Sequence, residues 1–593
     1  MKFALITDLE TFLAEEFGAT DVTIAPDLCP TDFDGDITVN CFVLARQLRR
    51  SPMDIAAKAA SYLAEHPEVA ASECIKAFVN IKIEPTALFR DTVADLEAIL
   101  ADTKLPEAER QRVLIEFSAP NTNKPQHLGH VRNNTIGMAT ASLLAEVGHT
   151  VFPVNLVNDR GIHICKSMLA YQRFGNGETP TSAGKKGDHF VGDYYVRFDT
   201  ELRAQITALK KEKPELADTS NEDLFLQTEI GQATQQMLRA WEGNDPAVRK
   251  LWQTMNEWVF EGFNETYQRM GVEFERTFLE SQTYMLGKDI IEDGLSRGVF
   301  TRLDGGAVAI DLDTKKLGTK IVLRSDGTSV YVTQDIGTTL MKQEAFTPDR
   351  QIWVVGDEQR YHFQVLFAIL QALGYPWADE LTHMAYGMVN LPSGKMKSRE
   401  GTVVDADNLF DELEGLAREA TLERAGADAP EDINERARVI AMAAAKFMLL
   451  NFNPKTTIMF DPAASIKFEG DTGPYVLYAY ARISSMLRKA GDAAVEGPVD
   501  WSVLGTPEER DLALRCARYG ETMRKAAADL DSSDLAGYLL DLAKAFSRFY
   551  RSCPVLSAPT PELQRARIEL SMRVRSLLKA GLNALTICTL ESM

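Results

Sequence analysis

Residues 113–157 constrain the fold more than any other part of this chain. Val113 to Phe117 is a short apolar run, followed by the polar turn Ser118-Ala-Pro-Asn-Thr-Asn-Lys-Pro-Gln126. His127-Leu128-Gly129-His130 then opens an Ala-, Leu- and Met-rich stretch, and Val131 to Val147 reads as a helix. A second strand-like run, Val151 to Val157, completes a βαβ unit. Such a unit closes right-handed into a parallel sheet and gathers ligands at the carboxyl ends of its strands. His127 and His130, three residues apart, share one helix face. They also sit at a helix N-terminus, where free N–H groups and the dipole attract anions. Gly129 leaves room for a flat ring to approach the backbone. Taken alone, an H-x-x-H pair is more often a cap or a core feature. The strand–turn–helix setting favours a triphosphate site, of a kind unlike a Walker loop.

A second motif lies far along the chain. Gly394-Lys-Met-Lys-Ser-Arg-Glu-Gly401 is a Gly-flanked basic segment following an apolar run that ends at Asn390-Leu391. A charge run by itself is usually a solvated surface. Together, the two motifs resemble the "HIGH" and "KMSKS" signatures of class I aminoacyl-tRNA synthetases, and their surroundings resemble the arginyl enzymes. Lys395 and Met396 fit the second signature, whereas Ser398 stands at its usual second lysine. Arginyl enzymes commonly lack that lysine and carry one just before the histidine motif, where this chain has Lys124. The resemblance implies that His127, Gly129, His130, Lys395 and Met396 bind ATP. It also implies that Lys124 and Lys395, with Mg²⁺ brought by ATP, hold the departing pyrophosphate.

A chain of 593 residues is too long for one core and predicts about three or four domains. The resemblance implies an α/β Rossmann-type catalytic domain, a small N-terminal α/β domain and a C-terminal α-helical bundle. The expected divisions are a tRNA-elbow-binding unit over 1–108, the catalytic domain over 109–429 and an anticodon-binding bundle over 430–593. A helical insertion is expected from about 175 to 300, and the Asp326-Gly327 pair reads as a hairpin signal between short strands. Seven singly scattered cysteines with no C-x-x-C pair argue against a disulfide framework or a zinc knuckle. No apolar run is long enough to span a bilayer, and acids come too early for a signal peptide. The expectation is a cytoplasmic monomer with no tightly bound metal.

Net charge is −21, which by itself does not point to a nucleic acid. The acidity is uneven: residues 431–593 carry 21 Lys and Arg against 20 Asp and Glu, while residues 1–430 carry 43 against 65. The last third is therefore free to present a basic face.

An arginine site needs carboxylates set to accept paired bonds from a planar guanidinium. By resemblance, Asp335 binds that group with Glu280 as a second acid, and Tyr331 packs along the substrate side chain. Asn121 and Gln359 match polar contacts. Read singly, Asp335 is more often a helix cap and Tyr331 an ordinary strand aromatic. In the last third, Tyr475, Tyr478 and Arg482 fall at helical spacing after Pro474. Two rings beside a guanidinium suit unstacked bases, although an aromatic stripe is more often helix packing. By resemblance, Tyr550 and Met593 add contacts to the anticodon loop. The implied activity is ATP-dependent formation of arginyl-adenylate and transfer of arginine to the 3′ end of tRNA(Arg), activation requiring bound tRNA. The alternative is a catalytically inactive, synthetase-like tRNA-binding scaffold, which would be expected to have lost Lys124, His127, His130 or Lys395.

Overall fold

Five parallel strands form the sheet on which the site is built. Their order across the sheet is Leu381–Tyr386, Arg350–Gly356, Arg112–Glu116, Thr150–Val157 and Arg276–Leu279. The strand that comes first in the chain lies in the middle, so the winding reverses there and leaves a crevice at its carboxyl end. Alternation along that strand explains how both sheet faces are covered. Val113 and Ile115 join the core containing Ile136 and Leu143 of the helix Leu128–Glu146, while Leu114 turns to the other face with Val154 and Phe278. This computed structural model describes residues 3–30, 32–284, 286–328, 330–392, 404–425, 430–491 and 498–593. Lys395 and Met396 lie outside the described residues.

The helix Leu128–Glu146 is buried almost throughout, including polar residues that an interior helix would ordinarily avoid. Most of them find partners in the neighbouring structure, the buried Thr135 hydroxyl being an exception. Asn133 accepts from the Ser118 N–H at 2.6 Å and donates to the Val354 carbonyl at 2.7 Å. Asn134 donates to Gln126 at 2.8 Å. Gly137 allows the helix to cross the sheet closely, because a Cβ there would fall 2.2 Å from the Phe117 ring.

Before the sheet, a four-stranded antiparallel sheet packs on the helices Ala4–Phe17 and Pro52–Ala64. Between its second and third parallel strands the chain makes a run of helices that includes Gly187–Glu212 and Pro246–Met270. Helices beyond Ile433, among them Gly473–Ala490, Ser532–Ser552 and Pro561–Ala584, share a core of Leu477, Leu539, Phe546 and Leu578. No described helix is long and apolar enough to cross a membrane.

Two sequence expectations are corrected. The helical insertion expected to run from about 175 to 300 ends at Met270, because Arg276–Leu279 is the edge strand of the parallel sheet. That strand has four residues and two exposed polar ones at its start, which erases the usual apolar signature. Asp326-Gly327 is not the hairpin tip. The antiparallel strands Val308–Asp311 and Thr319–Leu323 turn at residues 312–318, whereas Asp326-Gly327 leads into the helix that begins at Tyr331.

Candidate active site

The histidine motif is held by its own backbone. His127 is the extended N-cap of the helix, and its Nδ1 accepts from the Gly129 N–H at 3.1 Å. The Nδ1 of His130 accepts from the His127 N–H at 3.2 Å, and the two ring centroids lie 4.0 Å apart. A neutral imidazole that accepts through Nδ1 carries its proton on Nε2. Burial, reinforced by the nearby Lys124 ammonium, pushes the His127 pKa down to about 4, and burial drives His130 well below its usual value. Both rings are therefore neutral donors near physiological pH. Positive charge must come from elsewhere, and half-buried Lys124 stands in the same turn with its own pKa lowered by burial.

The turn opens onto two cavities. The larger, of about 1340 Å³, is lined by Asn121, Lys124, His127 and Asp405 on one side and by insertion residues such as His189 on the other. A smaller one, of about 360 Å³, is lined by Asn121, Arg160, Glu280, Arg324 and Tyr331. Asn121 belongs to both, and its backbone bridges to Asn158 at the end of the neighbouring strand. Tyr331 starts its helix and is 78 % exposed at the mouth. Asp335 lies one turn further on rather than capping the helix, and its Oδ2 is 2.5 Å from His362 Nε2. That bond raises the His362 pKa. Burial pushes the Glu280 carboxyl up, Arg160 opposes the shift, and the charges of Asp159 and Asp335 add to it. Glu280 and Asp335 are thus close enough to repel, an arrangement that a cation between them would relieve. Gln359 immediately precedes the helix Arg360–Ala372, which carries His362.

Two supporting residues escaped sequence reading. Asp159 is fully buried and accepts from the Ser281 N–H at 2.8 Å and hydroxyl at 2.6 Å, fixing the segment that carries Glu280. Its position two residues past a strand end was the available clue. Arg132 is also fully buried, and its guanidinium donates to the carbonyls of Met388 at 2.6 Å, Pro454 at 3.1 Å and Thr456 at 2.7 Å. Burial lowers its pKa to about 10. An arginine inside an otherwise buried helix, five residues after His127, was the clue there.

The second candidate surface lies on the C-terminal helices. Arg482 donates to the Tyr478 hydroxyl at 2.8 Å and lies 4.7 Å from the Tyr478 ring centroid and 5.6 Å from that of Tyr550. Arg424 covers Tyr478 and Phe468 at 4.7 and 4.5 Å, a contribution the sequence did not suggest. Tyr475 stands apart from this cluster: its hydroxyl bonds Ser547 at 3.2 Å and its ring packs on the core.

Met593 packs partly buried against the same core, at the end of a pinned tail. Arg436 donates to the Ser592 carbonyl at 2.9 Å, and Arg575 and Tyr480 grip the Glu591 carboxylate at 2.8 and 2.6 Å. Burial pushes the Glu591 pKa up, but the bonds from Tyr480 and Arg575 outweigh it and hold the group at about 2. A depressed carboxylate contributes stability above its ordinary value and loses it as pH falls through the folded one. NMR relaxation should therefore find the backbone of residues 588–593 as ordered as the adjoining helix above pH 4.5 and progressively more mobile towards pH 2. Unchanged order across that interval would show that other contacts hold the tail.

Comparison with known proteins agrees with this layout. Residues 95–461 match the catalytic-domain model of class I tRNA synthetases (R), residues 476–593 the DALR anticodon binding domain, and residues 5–83 the arginyl tRNA synthetase N terminal domain. The arginine–tRNA ligase of Bacteroides fragilis is 40% identical over 594 aligned residues, covering 98% of both chains. That of Parabacteroides distasonis is 41% identical, covering 95% of this chain and 94% of its own. The structure of Thermus thermophilus arginyl-tRNA synthetase superposes with a TM-score of 0.80 at 28% identity, over 100% of this chain and 99% of that one. Matched by these three models along most of its length, and 40% identical to a relative over 98% of it, the chain belongs to the arginyl-tRNA synthetase family of class I aminoacyl-tRNA synthetases.

Proposed function

We propose that this chain is an arginine–tRNA ligase, joining L-arginine to the 3′ end of tRNA(Arg) at the expense of ATP. The observation that carries the reading is the meeting of the two cavities at Asn121. One is headed by a helix N-terminus with Lys124 and His127, and the other is flanked by Glu280 beside Asp335. In this reading the smaller cavity takes arginine and the larger takes ATP. Glu280 and Asp335 accept from the guanidinium, Tyr331 lies along the side chain, and Asn121 and Gln359 bind its polar head and stem. Lysine is rejected because a point charge leaves part of two fork-shaped acceptors unpaired.

The arginine carboxylate then attacks the α-phosphorus of ATP and pyrophosphate leaves. His127 and His130 donate Nε2–H groups to phosphate oxygens, Gly129 leaves the backbone accessible, and Lys124 supplies the charge that follows the departing pyrophosphate. Mg²⁺ entering with ATP offsets phosphate charge when bound. Lys395 and Met396 carry their ATP-binding assignment on sequence alone. In the second step the terminal adenosine hydroxyl attacks the adenylate carbonyl and AMP leaves. Positioning rather than a dedicated nucleophile supplies the rate. Tyr478, Arg482 and Tyr550, with Tyr475 and Met593 nearer their margin, form the anticodon surface. The working form is a cytoplasmic monomer, with residues 1–108 gripping the tRNA elbow.

Arginine-dependent exchange of pyrophosphate into ATP, measured with and without tRNA(Arg), tests the reading. Exchange that requires both arginine and tRNA supports it. Bound tRNA without exchange under either condition would overturn it in favour of a scaffold.

A further inference from the structure

The helical insertion meets the catalytic domain around the histidine motif at two places, once at the turn and once at Asp407. The first is steric. Gly192, on the helix Gly187–Glu212, lies so close to the turn that a Cβ there would fall 2.9 Å from Pro125 Cδ and 3.7 Å from Lys124 Cα. The side of the turn that carries Lys124 thus rests directly on the insertion.

The second contact is ionic. Lys186 Nζ, at the start of the same helix, lies 2.6 Å from Asp407 Oδ2, 3.2 Å from Asp188 Oδ2 and 2.6 Å from the Thr266 hydroxyl. His189 Nε2 is 3.1 Å from the same Asp407 oxygen, and its bond to Asp407 raises its pKa. Arg269, from the insertion's last long helix, donates to the Asp407 carbonyl at 3.3 Å. Asp188, His189 and Asp407 have the spacing of a metal site among the described residues, but the Lys186 ammonium already bonds both carboxylates. The cluster is a clamp between protein groups.

What it clamps is the strand-like segment beside the histidine motif. The Leu128 N–H donates to the Val404 carbonyl and the Ala406 N–H to the Gln126 carbonyl, both at 3.0 Å. His127 and Asp405 form the antiparallel bridge between them. Asp405 in turn accepts from the N–H groups of Asp407 and Asn408 at 2.9 and 3.1 Å, capping the following helix. The chain of contacts therefore runs from the insertion through Asp407 to the backbone that carries His127.

We infer that the insertion positions the phosphate-binding turn, with Gly192 as the stop against which Lys124 and Pro125 are set and Lys186–Asp407 as the tie that keeps them there. These are positioning residues, and the inference rests on the reading of Lys124 and His127 as phosphate-binding groups. The cost of losing them falls on the reaction rate, since a displacement of about 1 Å in a reacting geometry costs on the order of 100-fold.

The test is steady-state pyrophosphate exchange with tRNA(Arg) present, separating kcat from the KM for arginine, with melting temperature and tRNA affinity recorded alongside. Gly192→Ala adds one methyl group and is expected to lower kcat by about 10-fold or more, with arginine KM and tRNA affinity within about twofold of the parent. Lys186→Met is expected to do the same and Lys186→Arg to recover most of the rate. The Lys186→Met/Asp407→Asn double variant should be no worse than Lys186→Met alone, as members of one tie behave. If Gly192→Ala and Lys186→Met melt like the parent and keep kcat within about twofold, the inference is overturned. Parallel loss of arginine KM and tRNA affinity would overturn it too, pointing to a general structural role. A parent that shows no exchange at all would instead overturn the functional reading beneath it.

Discussion

Replacing Lys124 by alanine is expected to lower arginine-dependent pyrophosphate exchange by about 100- to 1,000-fold, the range found when one preorganised electrostatic donor is lost. The charges present in the turn set the size of this effect. Burial keeps His127 and His130 neutral, so they bring hydrogen bonds without charge. The helix N-terminus contributes only partial charges. Lys124 is the cation of this turn, and no carboxylate among the described residues pairs with it. A half-buried ammonium without an acidic partner is costly to maintain, and an arriving phosphate removes that cost. The loss should appear in kcat, with arginine KM changed little, because Lys124 lines the larger cavity whereas Glu280 lines the smaller one proposed for arginine. A Lys124→Ala protein that exchanges within about fivefold of the parent would remove Lys124 from the mechanism, since Lys395 would then supply the charge by itself.

The second large effect is on stability. Arg510, on the helix Pro507–Ala517, donates through Nε to Asp36 Oδ1 at 2.9 Å, through Nη2 to Asp36 Oδ2, and to the Ile83 carbonyl at 2.5 Å. Both side chains are more than nine-tenths buried, at the contact between the N-terminal sheet and the C-terminal helices. Asp36 also accepts from the Ile83 N–H at 2.7 Å, so the pair is fully engaged. Arg510→Met leaves a buried carboxylate without its counter-ion and is expected to cost about 3–5 kcal/mol in urea unfolding. Changing both partners to apolar residues, as in Asp36→Leu/Arg510→Leu, should recover much of that loss, because no orphaned charge remains. Equal loss in the single and double variants would show that the contact depends on hydrogen bonding to Ile83 rather than on charge.

Sequence reading succeeded where structure is local. The strand, turn and helix around His127 follow one another within about ten residues each, so apolar runs and turn chemistry sufficed to order them. Tyr478 and Arg482 were legible for the same reason, since one helix sets their spacing and their side chains meet. The bond of the Tyr475 hydroxyl to Ser547 was not legible, since its partner comes from another helix 72 positions along the chain. Arg132 was not legible, since its acceptors come from residues 388, 454 and 456, more than 250 positions away. The same holds for Asp407, whose importance depends on Lys186 and Arg269 folding onto it. The edge strand Arg276–Leu279 was missed because four residues carry too little alternation, and pairing with Val154–Val157 decides its state.

The locked imidazoles of the histidine turn have a physiological consequence. A phosphate grip made of charged histidines would tighten and slacken as cell pH drifted across their ordinary value. Here the backbone fixes which nitrogen bears hydrogen, and burial places the titration of His127 at about 4 and that of His130 lower still. Under the proposed reading of these rings as phosphate donors, both keep one protonation state through the near-neutral range, and their grip does not follow swings in acidity there.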